Sequence, residues 1–368
     1  MFWKILIIIF ILFVPLVFYF SHQKQQVLIT PFSLKSNNLP TENVNKENTY
    51  QPKTPSVQQI FSDDHTWIAT LAAERLRTVI ATGDVIPARS VNYQILQHID
   101  IHWPYLKTYQ LTRAADITFT NLESPEIKNC PTTNEGMIFC GDYRNIEGLT
   151  FAGIDVVSLA NNHAGNFGEE GIKETISHLK TAGIYATGTD FSNVVIKDIR
   201  GIKFAFLGYN DISKVQPGVS NVDEEKIKIN IAEAKRKSDI VLVTFHWGEE
   251  YRDQPDERQI YLGHLAIDAG ADLVIGNHPH WIQPVEIYKE KVIMYAHGNF
   301  VFDQEWSLKT KQGVVGKYTF YDNQLIDVEF FPIQIEQYGQ PYILAGVAKK
   351  AILETLKNQS EKLNVLPY

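Results

Sequence analysis

A basic surplus is absent from these 368 residues: 34 lysines and arginines face 42 aspartates and glutamates, for a formal net charge of −8. That argues against nucleic acid as a partner, because phosphate binding needs a basic footprint. Cysteine is nearly absent too. Cys130 and Cys140 are the only two, close together in the turn-rich stretch NCPTTNEGMIFCGD, and without CxxC spacing they do not form a zinc knuckle. No internal repeat occurs and no hard linker interrupts residues 77–340, so one folded domain is expected there. The 44% hydrophobic content is enough for a large core.

The amino terminus, MFWKILIIIFILFVPLVFYF, carries a single charge, Lys4. Its uninterrupted run from Ile5 to Phe20 falls a little short of the ~20 residues that cross a bilayer, and Phe2 and Trp3 extend it at the interface. Such a segment is a signal peptide or an uncleaved anchor. FYFSHQ offers no small-residue cleavage site, which favours an anchor over residues 1–20. Residues 21–65, rich in Gln, Asn, Thr, Ser, Pro and Lys, read as a tether too polar to fold alone. An anchor and tether place the following domain on the extracytoplasmic side of the cell membrane, where Cys130 and Cys140 are expected as a disulfide rather than two idle thiols.

From Trp67 the pattern alternates. A helix-like stretch, WIATLAAERLR, leads into apolar strand-like runs at TVIATGDV, DITFTNLE, DVVSLANNH, KFAFLGYN, DIVLVTFHWG, DLVIGNHPH and VIMYAHGNF. Helical periods separate several of them: GEEGIKETISHLKTAG, DEEKIKINIAEAKRKS and DERQIYLGHLAIDAG. This alternation predicts an α/β domain with a largely parallel sheet. After His297 a β-meander is expected, turning at Asp322-Asn323, and then a helical tail over 341–368 beyond a domain of 66–340.

Polar groups recur where the apolar runs end. Asp84 follows the first run, Asn121 and Glu123 the second, and Asn161, Asn162 and His163 the third. His246, then His278 and His280, and finally His297 and Asn299 follow later ones. Open α/β sheets bind ligands at the carboxyl ends of their strands. In GNHPH two imidazoles flank a proline on a loop, and a kink there lets both reach one cation, whereas on a regular strand they would face opposite ways. Imidazole with carboxylate and amide oxygen, and no thiolate, suits Zn, Mn or Fe. The candidates exceed one tetrahedral site, so one or two ions are expected, with two bridged by a carboxylate ~3.5–4 Å apart in the arrangement that activates water against a phosphoryl group.

In order and spacing, TGDV, TNLESP, SLANNHAGNFGEEG, VTFHWGEEY, GNHPHWIQPVEIY and YAHGNFVFDQ resemble the CapA family of capsule and poly-γ-glutamate biosynthesis proteins, a branch of the calcineurin-like metallophosphoesterases, over about residues 77–303. The resemblance implies a four-layer αββα sandwich of two mixed sheets between helices. It also implies an exported, membrane-anchored domain that works beside membrane-bound synthase subunits on poly-γ-glutamate or a related anionic polymer. Carried over by motif, Asp84, Glu123, Asn162, His163, His246, His278 and His280 are the metal ligands. Asn162 and His163 are the catalytic candidates, His163 as a general acid. One departure stands out: the superfamily continues its first motif as Asp-x-His, and here Val85 and Ile86 follow Asp84. That missing ligand favours a binding or export role over a phosphoesterase-type hydrolase. The substrate-facing candidates are Asn121, Trp247, Glu249, Trp281, His297 and Asn299. Trp247 and Trp281 read as pocket walls or core, and Glu249, Glu250 and Tyr251 as a substrate-orienting or a solvated turn. A polyanion would need metal or a local basic patch to offset the net negative charge, with Arg89, Arg144, Lys214 and Arg252 as its candidates.

Overall fold

A computed structural model describes residues 50–190, 193–212 and 216–365. The expected anchor, most of the expected tether, and Lys214 lie outside the described residues. Among the described residues no helix is long and apolar enough to cross a membrane.

In chain order the strands begin with β1 (Leu76–Val85), β2 (Ile117–Leu122), the short pair β3 (Glu126–Ile127) and β4 (Gly141–Asp142), β5 (Val156–Ser158) and β6 (Tyr185–Thr187). Next come β7 (Val194–Ile199), β8 (Ile202–Asn210), β9 (Ile240–His246), β10 (Leu273–Asn277), β11 (Ile282–Tyr288) and β12 (Lys291–His297). The last are β13 (Asn299–Val301), β14 (Gln312–Tyr321), β15 (Gln324–Glu336) and β16 (Gln340–Ile343). The helices are α1 (Val57–Ile60), α2 (Ser90–His98), α3 (Tyr109–Thr112), α4 (Asn145–Phe151), α5 (Gly168–Thr181), α6 (Glu224–Lys237), α7 (Glu257–Asp268) and α8 (Gly346–Leu363).

Two mixed sheets result. One runs β16-β15-β14-β1-β2-β5-β6 with β13 also on β1, and the other runs β11-β12-β10-β9-β8-β7. In each, the βα-connected strands are parallel and hairpins supply the antiparallel edges, because only a hairpin can join neighbouring strands through a short turn. Alternation along β1 gives each sheet two apolar faces. Val79 and Ala81 join Phe119, Phe206, Leu242 and Ile275 in a core shared by both sheets, whereas Ile80 points the other way. There it meets Val91 and Ile95 of α2, Leu149 of α4 and Leu179 of α5. On the far face of the second sheet, Val243 and Val274 pack under Ile231 of α6 and Leu262 of α7.

The helical periods centred on 168–181, 224–237 and 257–268 form as expected, and the side chains of Asp223 and Asp256 cap the latter two. The stretch 67–77 does not form one helix. It makes two 3₁₀ turns, Thr66–Thr70 and Ala73–Arg75, neither with a buried residue, and enters the central strand β1 at Leu76; a helix this short with no packed face is not stable on its own. The compact unit starts at Gln51, ahead of the boundary expected at 66. A Ser56–Gln59 capping box starts α1, and Ile60 enters the core between the sheets. The carboxy-terminal helix is likewise part of the domain: Leu356 joins the same core, and Ser360 Oγ accepts a 2.9 Å hydrogen bond from the Val285 amide.

Two glycines let the backbone close up beneath the polar edge. A Cβ on Gly83 would lie 2.0 Å from Gly298 O, and one on Gly276 would lie 1.9 Å from Tyr295 O. Only glycine permits either approach.

Cys130 and Cys140 form a disulfide with Cα atoms 5.8 Å apart. Its sequence separation of 10 closes a short loop, for which chain entropy sets a stabilisation of about 2–3 kcal/mol. Replacing both cysteines by serine should lower the free energy of unfolding by about that amount. Urea titration of the double variant against the oxidised parent measures it, and equal midpoints would contradict it.

Candidate metal centre

The parallel strands of both sheets end at one edge, and the ladders bring their last residues level. Asp84 pairs in register with Asn121 and with Asn299, and β1 shifts register just before Asp84. In the second sheet His246 is level with Asn210 and Asn277. Beyond Asn277 the chain turns sharply: His278 and His280 both have positive φ, 99° and 57°, with Pro279 between them. Non-glycine residues in that region carry strain of about 1–3 kcal/mol each. Here the strain accompanies two imidazoles turned toward one site, which is the kink the GNHPH stretch predicts.

Asn121 is the hub. Its Nδ2 lies 2.8 Å from Asp84 Oδ1, 3.3 Å from Glu123 Oε2 and 3.3 Å from His246 Nδ1, and its Oδ1 accepts from Asn161 Nδ2 at 3.1 Å. Asn161 Oδ1 in turn accepts the amides of His163 and Ala164, which fixes the loop carrying Asn162 and His163. Asn162 Oδ1 lies 2.8 Å from His246 Nε2, and His278 Nδ1 lies 3.1 Å from the same nitrogen. On the other side His280 Nδ1 is 3.3 Å from Asp84 Oδ2 and 2.8 Å from Asn299 Oδ1. All of these side chains except Asn162, which is partly exposed, are buried.

Among the described residues three donor groups emerge: Glu123 with His246 and His278, Asp84 with Glu123 and His280, and Glu250 with His278 and His280, the ligand atoms of each within 4.8 Å of one another. The donor chemistry fits a divalent ion. Glu123 Oε1 is buried and accepts no hydrogen bond, although His246 Nε2 lies only 3.4 Å away. Three imidazoles and two carboxylates converge with a single amide donor between them, a surplus of lone pairs that a cation would satisfy.

The electrostatics fit this arrangement. Burial pushes Glu123 well up, and the charge of Asp84 adds to the effect. Burial also drives His246 down to about 3 and His163 to about 4. It carries His278 well below the usual imidazole range, with His246 and His280 adding to the shift. His280 goes the other way: burial opposes its charge, but the hydrogen bond it donates to Asp84 and the charges of Glu123 and Asp84 raise it to about 9. Asp84 is held below the usual carboxylate range because His280 outweighs its burial. His246 and His278 are thus held in the neutral form that binds metal, whereas His280 and Glu123 would give up a proton to an ion.

His163 stands at the cleft wall, outside the three groups. Its ring stacks on Phe139 with centroids 4.0 Å apart, and its Nδ1 lies 3.0 Å from Asn166 Oδ1, which also accepts the Phe139 amide. The disulfide-closed loop thus positions His163. Burial lowers the imidazole to about 4, so near neutral pH little of it carries the extra proton that a general acid would give.

The substrate-facing candidates separate. Asn121 and Asn299 are buried and hydrogen-bonded to Asp84, His246 and His280. Trp247 does not line the cleft: it is fully buried, stacks on Phe245 and donates from Nε1 to Tyr295 O at 2.9 Å, in the core under α7. His297 faces the space between the sheets, its Nε2 3.1 Å from Tyr318 Oη. Trp281 borders a different cavity of about 310 Å³ beside α8, with Lys309 Nζ 4.2 Å above its ring. Glu249 points to solvent and pairs with Arg252. Its neighbour Glu250 is the one that reaches the histidines. Of the expected basic patch, Arg89 lines the cleft, whereas Arg144 is exposed and paired with Asp142.

The cleft above the donors holds about 200 Å³ between Arg89, Phe139, Tyr251, Phe302 and Gln304. The Arg89 guanidinium stacks 4.6 Å from Phe139 and 5.1 Å from Phe302, pairs with Asp303 and donates to Gly136 O at 2.8 Å. Its buried Nε has no hydrogen-bond partner.

The family described as "Bacterial capsule synthesis protein PGA_cap" matches residues 78–304. The chain is 33% identical over 295 residues to "PGA biosynthesis protein CapA" of Bacillus subtilis (strain 168), covering 76% of this chain and 77% of that one. It is 29% identical over 305 residues to "Capsule biosynthesis protein CapA" of Bacillus anthracis, covering 77% and 74%. Among solved structures, a phosphatase from Mycoplasma pneumoniae aligns over 70% of this chain and 94% of its own, at 14% identity and a TM-score of 0.48.

Proposed function

Because this chain belongs to the bacterial capsule synthesis protein family PGA_cap, we propose that it serves the synthesis or export of poly-γ-glutamate or a related anionic polymer, which its cleft grips through a divalent ion. In this reading the domain stands on the extracytoplasmic face of the cell membrane beside membrane-bound synthase subunits. The Cys130–Cys140 disulfide supports an oxidising compartment. The architecture is read as the four-layer sandwich of the metallophosphoesterases, two sheets sharing one core with helices outside both.

The observation that carries the proposal is the convergence of Asp84, Glu123, His246, His278 and His280 beside a cleft that His280 lines and Arg89 walls. These five side chains, with Asn162, would hold Mn, Zn or Fe, one or two ions. A bound ion supplies a Lewis acid for a carboxylate, amide or phosphoryl oxygen. The chain's own part is to hold that oxygen in place: the Arg89 guanidinium, fixed by Asp303, Gly136 O and the faces of Phe139 and Phe302, lines the wall where it would sit. Since Asp303 already balances Arg89, the charge of the ion would offset the repulsion between a polyanion and a chain of net charge −8.

Fluorescence anisotropy of labelled oligo-γ-glutamate on the full-length chain tests the reading. Binding is expected with Mn²⁺ or Zn²⁺ present, with at least about a tenfold loss in chelator and in Arg89→Met, as expected when a charge-assisted contact of about 1.5–3 kcal/mol is removed. Equal affinity with and without metal would overturn it. The second reading is a metal-dependent hydrolase of phosphoester type. Glu123 favours it, because it belongs to two of the donor groups and so suits a carboxylate bridging two ions. Turnover of mono- or diesters by the metal-loaded chain, absent in chelator, would establish that activity.

A further inference from the structure

Position 86, where the phosphoesterase motif expects a histidine, holds Ile86, fully buried against Ala88, Phe139 and Phe302. The ion served by Asp84, Glu123 and His280 therefore lacks a ligand from its own strand end. The geometry points to Glu250, from the loop after β9, as the carboxylate that takes this place beside His280. This inference rests on the reading of the cleft as a metal site.

Four observations place Glu250 there. One of its carboxylate oxygens lies within 4.8 Å of a nitrogen of His278 and of one of His280. The loop that carries it is tied directly to the histidine loop, since the Tyr251 amide donates to Pro279 O at 2.8 Å. Its conformation is narrowly specified: Gly248 has φ +82° with Gln259 Oε1 only 2.4 Å from where a Cβ would be, and Tyr251 has φ +64°. Those two left-handed residues reverse the chain on either side of Glu249-Glu250, sending Glu249 outward to Arg252 and Glu250 inward. Lastly, the cations around this loop are matched to other carboxylates, Arg89 to Asp303, Arg252 to Glu249 and Lys309 to Asp253. Glu250 thus meets two imidazoles at the mouth of a cleft whose deeper donors already have spare lone pairs. A carboxylate that arrives from a loop also differs from a strand-borne histidine in the negative charge it adds.

The test is Mn²⁺ loading of the full-length chain after chelator treatment, read by elemental analysis, calorimetric titration and the spin coupling in its electron paramagnetic resonance spectrum. Wild type is expected to take two ions and show the coupled signal. Glu250→Gln should weaken the second ion at least about tenfold, the lower end of what loss of a mere supporting partner costs a metal site, and replace the coupled signal by an isolated one. Glu249→Gln should behave as wild type, and Glu250→His should restore the second ion, which a purely electrostatic or structural role would not allow. If wild type and Glu250→Gln both take two ions with equal affinity, Glu250 is not a ligand and the metal reading stands without it. If wild type takes none, the metal reading falls and this assignment with it; one ion in wild type overturns the assignment alone.

Discussion

Alanine at both His246 and His278 is expected to abolish binding of the ion they share with Glu123, lowering its affinity at least about 100-fold, since lost supporting partners alone cost 10–100-fold. The two imidazole nitrogens lie 3.1 Å apart, and Glu123 Oε1 has no other partner. The variant leaves that carboxylate alone beside Asn121. Because the ion binds only the folded chain, its loss should also remove the thermal stabilisation of the parent, about 4 kcal/mol at a free-metal concentration 1,000 times Kd. Elemental analysis, zinc and manganese calorimetry and thermal melts with and without chelator measure both effects, and circular dichroism checks the fold. An unchanged stoichiometry in the double variant would remove these histidines from the ligand set.

The second large effect is a sharp stability optimum of the metal-free chain near pH 6.5. Burial holds the folded pKa values of His163 and His297 at about 4 and of His246 at about 3, and puts His278 well below the usual range. Depressed imidazoles stabilise the fold above the unfolded value of about 6.5, and that contribution is lost as pH falls toward the folded values. Glu123 and Glu126 act in the opposite sense over the same interval. Burial raises Glu126 to about 8 and Glu123 well above the usual range, so each favours the fold at low pH and loses its contribution as pH rises. Below pH 6.5 the four imidazoles outnumber the two carboxyls, so stability should fall on acidification. Above pH 6.5 the sign reverses. Glu123 and Glu126 are joined by His280, whose stabilisation is complete below 6.5 and is lost as pH rises through about 9. Urea titrations in chelator between pH 4.5 and 9 should trace this dome, and saturating metal should reduce the alkaline fall while steepening the acid one, because ligands held deprotonated in the folded state leave the unfolded chain the better proton binder. A flat metal-free profile would mean that water reaches the site and the burial argument fails.

Residues governed by local rules are legible in the amino-acid sequence alone. The capped helices α6 and α7, the β14–β15 turn at Asp322 and the disulfide follow from short-range chemistry. The donor residues are legible for a related reason: in a parallel sheet every strand starts from the same side, so residues that end apolar runs share an edge wherever their strands fall in the order. Asp84, Asn121, Glu123, His246, His278 and His280 follow that logic across two sheets whose order no local pattern specifies.

Where a residue lies one or two places beyond a strand end, that logic stops. After His246 the chain reaches Trp247, which packs under α7, then Gly248, whose left-handed backbone reverses the phase so that Glu250 rather than Glu249 faces the histidines. Sequence spacing treats the two glutamates alike. The Gly248 and Tyr251 reversals, with the Tyr251–Pro279 hydrogen bond that ties the two loops, distinguish them. His297 and Trp281 are decided in the same way, by which sheet face or cavity their strand's edge adjoins. The chain's composition and strand-end chemistry specify a donor-rich edge on an α/β scaffold. Which of those groups face one another depends on backbone reversals and long-range contacts, because a side chain's direction beyond a strand end is set by φ values and by neighbours far away in the chain.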